Sequence, residues 1–223
     1  ANVSLELKTP ITNISGYAET LVENPDLPQE TSTTFLNVIL NESDRMNNIV
    51  RDLLTLSSFD SGYSLLNLTT FPFGAVLEDS YQAIHIEAQR HKHTLILEGE
   101  QVLPTVRADR ERVLQVIMNI LSNAIKYTPD GGRIVMSAGF DPDRVWLEVT
   151  DNGIGIPPED RERIFERFYR VDKARSRESG GTGLGLSIAK EIIRQHEGKL
   201  LLVDRPGPGT TLRMELKREG PKA

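Results

Sequence analysis

The chain has 223 residues and a formal net charge of −6, and its composition limits the classes of protein to which it can belong. Hydrophobic residues make up 38% and charged residues 26%, as in globular domains, and no apolar run approaches the roughly 20 residues of a membrane span. Cysteine is absent, which excludes disulfides, thiolate metal sites and a cysteine nucleophile. The acidic balance argues against general nucleic-acid binding.

The first 60 or so residues are predicted to form two helices. Apolar residues recur at alternating spacings of four and three in the first helix and on heptad spacing in the second, where Glu42 interrupts the seam. Residues 24–28 break the pattern and predict a turn. Each helix has one apolar stripe, so we favour a dimeric four-helix bundle over the alternative, a hairpin packed on the rest of the chain. The stripes comprise Leu7, Ile11, Ile14, Ala18 and Leu21, then Phe35, Ile39, Met46, Ile49, Leu53 and Leu56.

The pattern changes after Ser61 and Gly62, which predicts one domain at residues 1–62 and a second at 63–223. The second domain mixes helices with adjacent antiparallel strands. This mixture predicts an α/β sandwich with helices on one face of a mixed sheet, so the whole chain is α+β. The predicted elements are an extended segment 65–71, a helix 73–91, a strand 94–98, a helix from an Asp109 cap to residue 127, a strand pair 133–140 and 144–150, a helix 184–196, and a closing hairpin 199–203 and 210–217.

Polar side chains recur at helical spacing along one face of the helix after Asp109. Asn119 and Asn123 lie one turn apart on this face, so their amide oxygens can converge on one point. Hard oxygen ligands of this kind, completed by substrate phosphates, suit Mg²⁺. An ordinary solvated polar face is the alternative interpretation. The polar face comprises Arg112, Gln115, Asn119, Asn123 and Lys126.

An Asp-Asn-Gly-Ile-Gly segment directly follows the second strand of the predicted pair. The Asp151 carboxylate can accept hydrogen bonds, for example from an adenine amine. Gly153 and Gly155 would let the backbone approach a flat base closely. A surface turn is the alternative.

A glycine-rich segment, residues 181–185, runs directly into a predicted helix whose N-terminal amides suit phosphate. A hinge is the alternative. The spacing G-x-G-x-G matches neither the dinucleotide fingerprint nor the P-loop, and no H-R-D or D-F-G element occurs. Just before it, residues 161–177 contain seven basic and three acidic residues, which favours an anionic ligand such as polyphosphate over a solvated charged loop.

Together these segments resemble the nucleotide-binding boxes of two-component sensor histidine kinases, whose Bergerat-type (GHKL) ATP-binding fold is shared with Hsp90, gyrase B and MutL. The N-terminal Ser-Leu-Glu-Leu-Lys-Thr-Pro segment, residues 4–10, resembles the HisKA-type dimerisation and phosphoacceptor domain of the same kinases. The boxes are similar to Asn119 with Asn123, residues 151–155, residues 165–170 and residues 181–186.

The resemblance implies ATP (or ADP) with Mg²⁺ as cofactor. Asp151 would bind the adenine amine, with Gly153 and Gly155 shaping the base pocket. Asn123 would hold the magnesium ion, and Asn119 would support the phosphate–metal end.

The resemblance also implies contacts to the phosphates from Lys126, Tyr127 and Arg170. Phe165 and Phe168 would anchor a mobile lid that runs to about residue 180. The residues that would admit the triphosphate are Gly181, Thr182, Gly183, Leu184 and Gly185.

The resemblance fails at the phosphoacceptor, because the family carries histidine where this chain has Leu5. Glu6, the next residue, would orient the ring and take its proton. At about 100° per residue, Leu5 lies roughly 160° from Leu7 and so opposite the apolar stripe, which argues against a core position. We interpret Leu5 as a replaced acceptor, engineered or natural. The four histidines lie outside the hairpin and are expected to be ordinary ones: His85, His91, His93 and His196.

The leading hypothesis is therefore the cytoplasmic catalytic core of a two-component histidine kinase that cannot phosphorylate itself. Expected partners are a second copy, through the N-terminal helices, and a response regulator receiver domain whose Asp receives the phosphoryl group. Because the sequence lacks an initiator Met and opens mid-motif, we expect a fragment, attached to the bacterial membrane only through N-terminal regions that it lacks. The alternatives are a regulator phosphatase or docking form, in which Glu6 and Thr9 would act, and a GHKL-type ATPase switch.

Overall fold

The computed structural model describes residues 2–60, 66–100, 102–171 and 181–219. The chain forms two compact units. The first contains Ala1–Ser61 and Arg167–Leu184, and the second contains Gly62–Glu166 and Gly185–Ala223.

The first unit is built on a helical hairpin, as predicted. Helix α1 spans Asn2–Glu23 and helix α2 spans Gln29–Asp60. Tyr17 and Phe35 pack across the hairpin with ring centroids 5.0 Å apart. Ile49 and Leu56 of the predicted stripe are buried, but Ile11 is 48% exposed. The hairpin thus covers only part of its apolar surface.

The β-strands and helices described in the second unit follow the predicted order, and strand β3 is an addition to it. They are β1 (Thr69–Pro72), α3 (Phe73–Arg90), β2 (Thr94–Gly99), β3 (Thr105–Ala108), α4 (Arg110–Tyr127), β4 (Arg133–Phe140), β5 (Arg144–Asp151), α5 (Gly185–Gln195), β6 (Lys199–Leu202) and β7 (Thr211–Lys217). A short 3₁₀ helix at Pro158–Asp160 follows β5.

A mixed five-stranded sheet forms the centre of this unit, in the order β2-β4-β5-β7-β6. Inward-facing residues of neighbouring strands, such as Met136, Leu147 and Met214, are fully buried. They pack against helices α3, α4 and α5, whose apolar faces supply the other half of the core. The predicted sandwich of helices on one face of a mixed sheet is confirmed.

Three details of the fold were not predicted from the sequence. Strand β2 pairs parallel to β4, with Leu95 opposite Ile134. Strands β1 and β3 form a separate two-stranded antiparallel sheet, and β3 was not expected from the sequence. The extended segment expected at 65–71 is a strand only over Thr69–Pro72, and residue 65 lies outside the described residues.

Helix α4, which carries the predicted polar face, begins where the sequence indicates. Asp109 caps it by accepting a hydrogen bond from the Arg112 backbone N–H at 3.1 Å. Val113, Ile117 and Ile120 are buried, so the polar face is turned away from the core. Across the described ranges, no helix is both long enough and apolar enough to span a membrane.

Candidate functional site

Asp151 ends β5 and is buried, with only 7% of its surface exposed. Its Oδ1 atom accepts two backbone hydrogen bonds, from Gly153 N–H at 2.9 Å and from Thr210 N–H at 3.1 Å. Oδ2 accepts none from the described residues. Burial raises the pKa of this carboxyl, and the two backbone hydrogen bonds oppose the rise. The arrangement fixes the carboxylate and leaves one oxygen for a ligand donor.

The glycines around Asp151 are needed for close backbone packing. A Cβ on Gly153 would lie 2.3 Å from the Tyr127 carbonyl oxygen. A Cβ on Gly209 would lie 1.8 Å from the Asp151 carbonyl oxygen, and Gly209 has a φ of +100°. Gly209 and Thr210 were not predicted from the sequence. The signal was the Gly-Pro-Gly-Thr run immediately before the last strand.

Asn119 and Asn123 lie on α4 as predicted, but only the Asn119 side chain makes a hydrogen bond to another described residue. Asn119 donates a hydrogen bond from Nδ2 to the Gly185 carbonyl at 3.0 Å, which ties α4 to the first residue of α5. Asn123 makes no hydrogen bond to another described residue and is only partly buried. Asn123 is therefore the amide that is available to a metal ion, and Asn119 supports the start of α5.

The other predicted site residues of the second unit lie at the end of α4 and in the segment after the 3₁₀ helix. The Lys126 ammonium lies 5.2 Å from the centroid of the Tyr127 ring. The Tyr127 carbonyl accepts a hydrogen bond from Ile154 N–H at 3.1 Å, which holds the end of α4 against the segment after Asp151. Phe165 packs under the Lys190 ammonium of α5, 4.9 Å from its ring centroid.

In the first unit, the Phe168 segment is bound to the glycine-rich segment. Phe168 has a φ of +64° and donates its N–H to the Gly183 carbonyl at 2.9 Å. A Cβ on Gly183 would approach the Phe168 backbone to 3.0 Å. Thr182 accepts a hydrogen bond at Oγ1 from Leu184 N–H at 3.2 Å, which shapes the turn before α5. These contacts order Thr182 to Leu184 around Phe168.

Arg170, predicted to contact phosphate, is buried and bound within the first unit. Its Nη2 donates to Glu6 Oε2 at 2.8 Å and to the Thr182 carbonyl at 3.0 Å. Thr182 donates from Oγ1 to Asp52 Oδ2 of α2 at 2.9 Å. Burial raises the pKa of Asp52, and the hydrogen bond from Thr182 partly opposes this. These two acceptors take Nη2 of Arg170, whereas its Nε atom is buried and has no hydrogen-bond partner among the described residues.

Leu5 is 62% exposed, as its position opposite the apolar stripe predicts. Thr9 lies one turn later and donates from Oγ1 to the Leu5 carbonyl at 3.3 Å. Glu6, between them in sequence, accepts hydrogen bonds from Arg45 and Arg170. Arg45 was not predicted from the sequence.

The four histidines make contacts that account for them structurally. His85 pairs with Gln89, and His91 with Asp130 at 3.0 Å. Among the described residues, no group of three or more His, Asp or Glu side chains has a geometry that could hold a metal ion. The other two pack against main chain: His93 Nε2 contacts the carbonyls of residues 128 and 129, and His196 Nε2 accepts the Asp109 N–H.

The structure describes only some of the basic residues of the segment 161–177. Arg161 pairs with Asp204 at 2.9 Å, Arg163 with Glu166 at 3.4 Å, and Arg167 with Asp60 at 2.7 Å. Arg170 pairs with Glu6, as described above, and the other three, Lys173, Arg175 and Arg177, lie outside the described residues, as does the part of the predicted lid at 172–180.

The donor and acceptor set of the second unit fits a magnesium nucleotide. Asp151 offers a fixed acceptor beside glycines that leave the backbone bare, which suits a base amine. Asn123 offers an amide oxygen that Mg²⁺ can take together with substrate oxygens. Lys126 supplies positive charge one turn from Asn123.

Comparison with known families matches two segments of the chain. Residues 108–220 match the family described as Histidine kinase-, DNA gyrase B-, and HSP90-like ATPase. Residues 1–62 match the family described as His Kinase A (phospho-acceptor) domain.

Similar proteins include the sensor histidine kinase WalK of Bacillus subtilis (strain 168), which is 40% identical over 225 residues. The match covers 97% of this chain and 36% of that protein. The sensor protein kinase WalK of Staphylococcus aureus is 36% identical over 221 residues, covering 98% of this chain and 53% of its own length. The chain thus spans between about a third and about a half of these relatives.

Solved structures share the fold over the full chain. Histidine kinase ThkA, in a crystal structure with the response regulator protein TrrA, matches with a TM-score of 0.82 and 28% identity, covering 100% of this chain and 62% of that chain. The Acinetobacter baumannii histidine kinase AdeS matches with a TM-score of 0.78 and 26% identity, covering 96% of this chain and 98% of that chain.

Proposed function

Because this chain belongs to the histidine kinase-, DNA gyrase B- and HSP90-like ATPases and forms a histidine kinase catalytic core, we propose that it binds ATP with magnesium and lacks its own phosphoacceptor. In this proposal, residues 1–62 are the dimerisation and phosphotransfer hairpin, and residues 63–223 are the ATP-binding domain. The family match that ends at residue 62 supports the boundary.

The observation that carries the nucleotide assignment is the geometry of Asp151. Two backbone N–H groups occupy Oδ1, so Oδ2 is the oxygen that would accept the adenine amine. Gly153 and Gly155 would flank the base. Gly153 cannot carry a side chain without displacing the Tyr127 carbonyl.

Other residues would hold the phosphates and the metal. Asn123 would ligate magnesium, and Asn119 would position the N-terminus of α5 through its bond to Gly185. Lys126 and Tyr127 would lie towards the phosphates. Bound ATP with magnesium supplies the phosphoryl group. Phe165 and Phe168 would anchor the lid, and Arg170 would contact the phosphates. The segment that would admit the triphosphate is Gly181, Thr182, Gly183, Leu184 and Gly185.

Leu5 is the basis for proposing that the chain cannot phosphorylate itself. Its side chain is exposed but has no lone pair to attack a phosphorus atom. The match of residues 1–62 to the phosphoacceptor family supports the assignment of this hairpin as the acceptor domain. Glu6, which would orient an imidazole at position 5 and accept its proton, remains in place.

We expect ATP binding without stable phosphorylation. ATP titrated into the chain by calorimetry, with and without magnesium, measures the first property. Incubation with ATP labelled in the γ-phosphate measures the second. The Asn123→Ala variant is expected to lose most of the magnesium-dependent part of the affinity while keeping metal-independent binding. An absence of ATP binding, or a stable label on the Leu5 chain, would contradict the proposal.

Two partners are proposed, one from the surface of the hairpin and one from similar proteins. The exposed apolar residues of α1 and α2, among them Ile11, Leu40 and Leu54, support dimerisation with a second copy. The ThkA–TrrA complex supports a response regulator receiver domain as the second partner. The short coverage of the WalK proteins supports the part of the proposal in which this chain is a piece of a longer sensor, whose membrane attachment would lie outside these residues.

A second candidate function is dephosphorylation of a response regulator, which does not need histidine as a nucleophile. Thr9 lies one turn after position 5, and its hydroxyl is held at the Leu5 carbonyl, so it lies on the face that presents position 5. Glu6 and Thr9 would position a water molecule for attack. Sustained ATP turnover without a regulator would instead favour an ATPase switch.

The Thr9→Ala variant is expected to slow regulator dephosphorylation about tenfold, because misplacing an attacking water costs rate. Loss of phosphate is measured on a panel of receiver domains phosphorylated with acetyl phosphate. Thr12→Ala is the matched control, since Thr12 makes the same type of bond, to the Lys8 carbonyl at 2.9 Å. Equal effects of the two variants would contradict a specific role for Thr9.

A further inference from the structure

Arg45 of α2 is the one charged side chain of residues 2–60 that is buried, with 5% of its surface exposed. Burial of a guanidinium is costly unless its charge and donors are matched. Even a matched buried ion pair rarely stabilises a fold more than apolar residues of similar size would. The burial of this arginine between the two helices therefore calls for an explanation other than stability.

The guanidinium of Arg45 connects the two helices of the hairpin. Its Nη2 lies 3.2 Å from Glu6 Oε2 on α1, and its Nη1 lies 3.5 Å from Glu42 Oε2 on α2. Glu42 in turn accepts a hydrogen bond at Oε1 from Asn13 Nδ2 of α1 at 2.8 Å. The fixed planar fork of arginine can hold two carboxylates at once, which a lysine ammonium cannot do with the same geometry.

Glu6 is held from two sides at the same oxygen. Oε2 accepts from Arg45 at 3.2 Å and from Arg170 at 2.8 Å, whereas Oε1 accepts no hydrogen bond from the described residues. Arg45 belongs to the hairpin itself, so its contact does not depend on Arg170. If Arg170 were to contact a phosphate instead, the bond from Arg45 to Glu6 would remain.

We propose that Arg45 is a positioning residue, which fixes the Glu6 carboxylate so that Oε1 faces the side chain at position 5. This inference rests on the proposed function, in which Glu6 orients the acceptor imidazole and takes its proton. Glu42 and Asn13 complete the arrangement by holding the other edge of the guanidinium. Arg45 acts through Glu6 and touches neither the acceptor nor the nucleotide.

The test uses the Leu5→His chain, in which phosphorylation can be measured, and adds Arg45→Lys, Glu6→Gln and the combination of the two. Arg45→Lys keeps the positive charge and is preferred to Arg45→Met, which would leave the partly buried Glu42 carboxylate without its cationic partner and Glu6 with Arg170 alone. We expect Arg45→Lys to lower the maximal rate about tenfold at unchanged ATP affinity, measured by calorimetry. In the Glu6→Gln background, Arg45→Lys is expected to have no further effect on the rate.

Arg51→Lys is the matched control, since Arg51 is an exposed arginine of the same helix, and its rate is expected to stay within twofold. Thermal unfolding of the same variants in the Leu5 chain, without nucleotide, provides a readout independent of activity. There the effects of Arg45→Lys and Glu6→Gln on Tm are expected to be smaller together than their sum. Additive effects on Tm would mean that the two residues do not interact.

The outcomes separate the inference from the function on which it rests. A Leu5→His chain that binds ATP but takes no label overturns the proposed function, and the positioning role with it. A labelled Leu5→His chain whose rate is unchanged by Arg45→Lys overturns the positioning role alone. Rate losses from Arg45→Lys and Glu6→Gln that multiply in the combined variant also overturn it, because a purely structural role would give that result.

Discussion

The Leu5→His variant is expected to acquire a phosphoryl label that the Leu5 chain does not take up. Imidazole offers a ring nitrogen lone pair to phosphorus, and an aliphatic side chain offers none. Position 5 is 62% exposed, so the new ring can be accommodated without repacking the hairpin. Incubation with γ-labelled ATP and magnesium measures the transfer. A phosphohistidine is identified by a label that is lost in acid and retained in base.

The Leu5→Gln variant is the control for this gain. Glutamine places a polar, hydrogen-bonding side chain at the same exposed position but has no nucleophilic ring nitrogen. It should remain unlabelled, together with the Leu5 chain. A label on either chain would show that the acceptor lies elsewhere and would contradict the assignment of position 5. A Leu5→His chain that binds ATP and stays unlabelled would show that the hairpin does not present this residue.

Elements with strong periodic patterns could be predicted from the sequence. Helix α4 combines an apolar stripe with an Asp109 cap, and the structure begins the helix at Arg110. Strand β3 could not be predicted, because four residues give too little alternation and their partner lies 33 or more residues earlier. The parallel pairing of β2 with β4 is likewise decided by tertiary packing, since it joins strands separated by the whole of α4.

The nucleotide motifs could be located in the sequence because their residues are close together along the chain. Asp151 and Gly153 are two residues apart, and their hydrogen bond is local. Thr210, which makes the matching bond to the same oxygen, is 59 residues away and was missed. A backbone donor carries no side-chain signature, so sequence reasoning had only the neighbouring glycines to indicate it.

The contacts around Glu6 in the helical hairpin also could not be predicted from the sequence, because they join residues that are far apart along the chain. Arg45 lies 39 residues from Glu6, and Arg170 lies 164 residues from it. The sequence showed Glu42 only as an interruption of an apolar seam. In the structure this interruption is a carboxylate that holds Arg45 and accepts from Asn13. A polar residue in a heptad seam is thus better interpreted as one member of a pair whose other member must still be found.

Asp151→Asn is expected to weaken nucleotide binding about 100-fold while leaving the fold intact. The asparagine oxygen can replace Oδ1 and keep both backbone hydrogen bonds, so its amide nitrogen takes the place of Oδ2. A donor then faces the adenine amine, which is also a donor. Loss of a hydrogen bond to a charged group costs about 1.5–3 kcal/mol, and two facing donors place the effect at the upper end. ATP or ADP titrated by calorimetry gives the affinity.

The raised pKa of Asp151 allows a second measurement on the same variant, which is its thermal stability. Because burial raises its pKa above the ordinary value, the ionised carboxyl costs folding free energy at pH values above both the unfolded and the folded pKa. That cost falls as the pH is lowered through the raised pKa. Asparagine removes the cost, so the Tm of Asp151→Asn at neutral pH should equal or exceed that of the parent chain.

The ATP affinity of the parent chain should also depend on the ionisation of Asp151. Protonation of Asp151 removes the carboxylate acceptor, so ATP affinity of the parent chain should fall as the pH is lowered through the raised pKa of this carboxyl. Asp151→Asn should not show this fall. Asp143→Asn, at the exposed turn before β5, is the matched control and should bind like the parent chain. An Asp151→Asn variant with parental affinity and a normal Tm would mean that this carboxyl does not contact the base, and the nucleotide assignment would lose its main support.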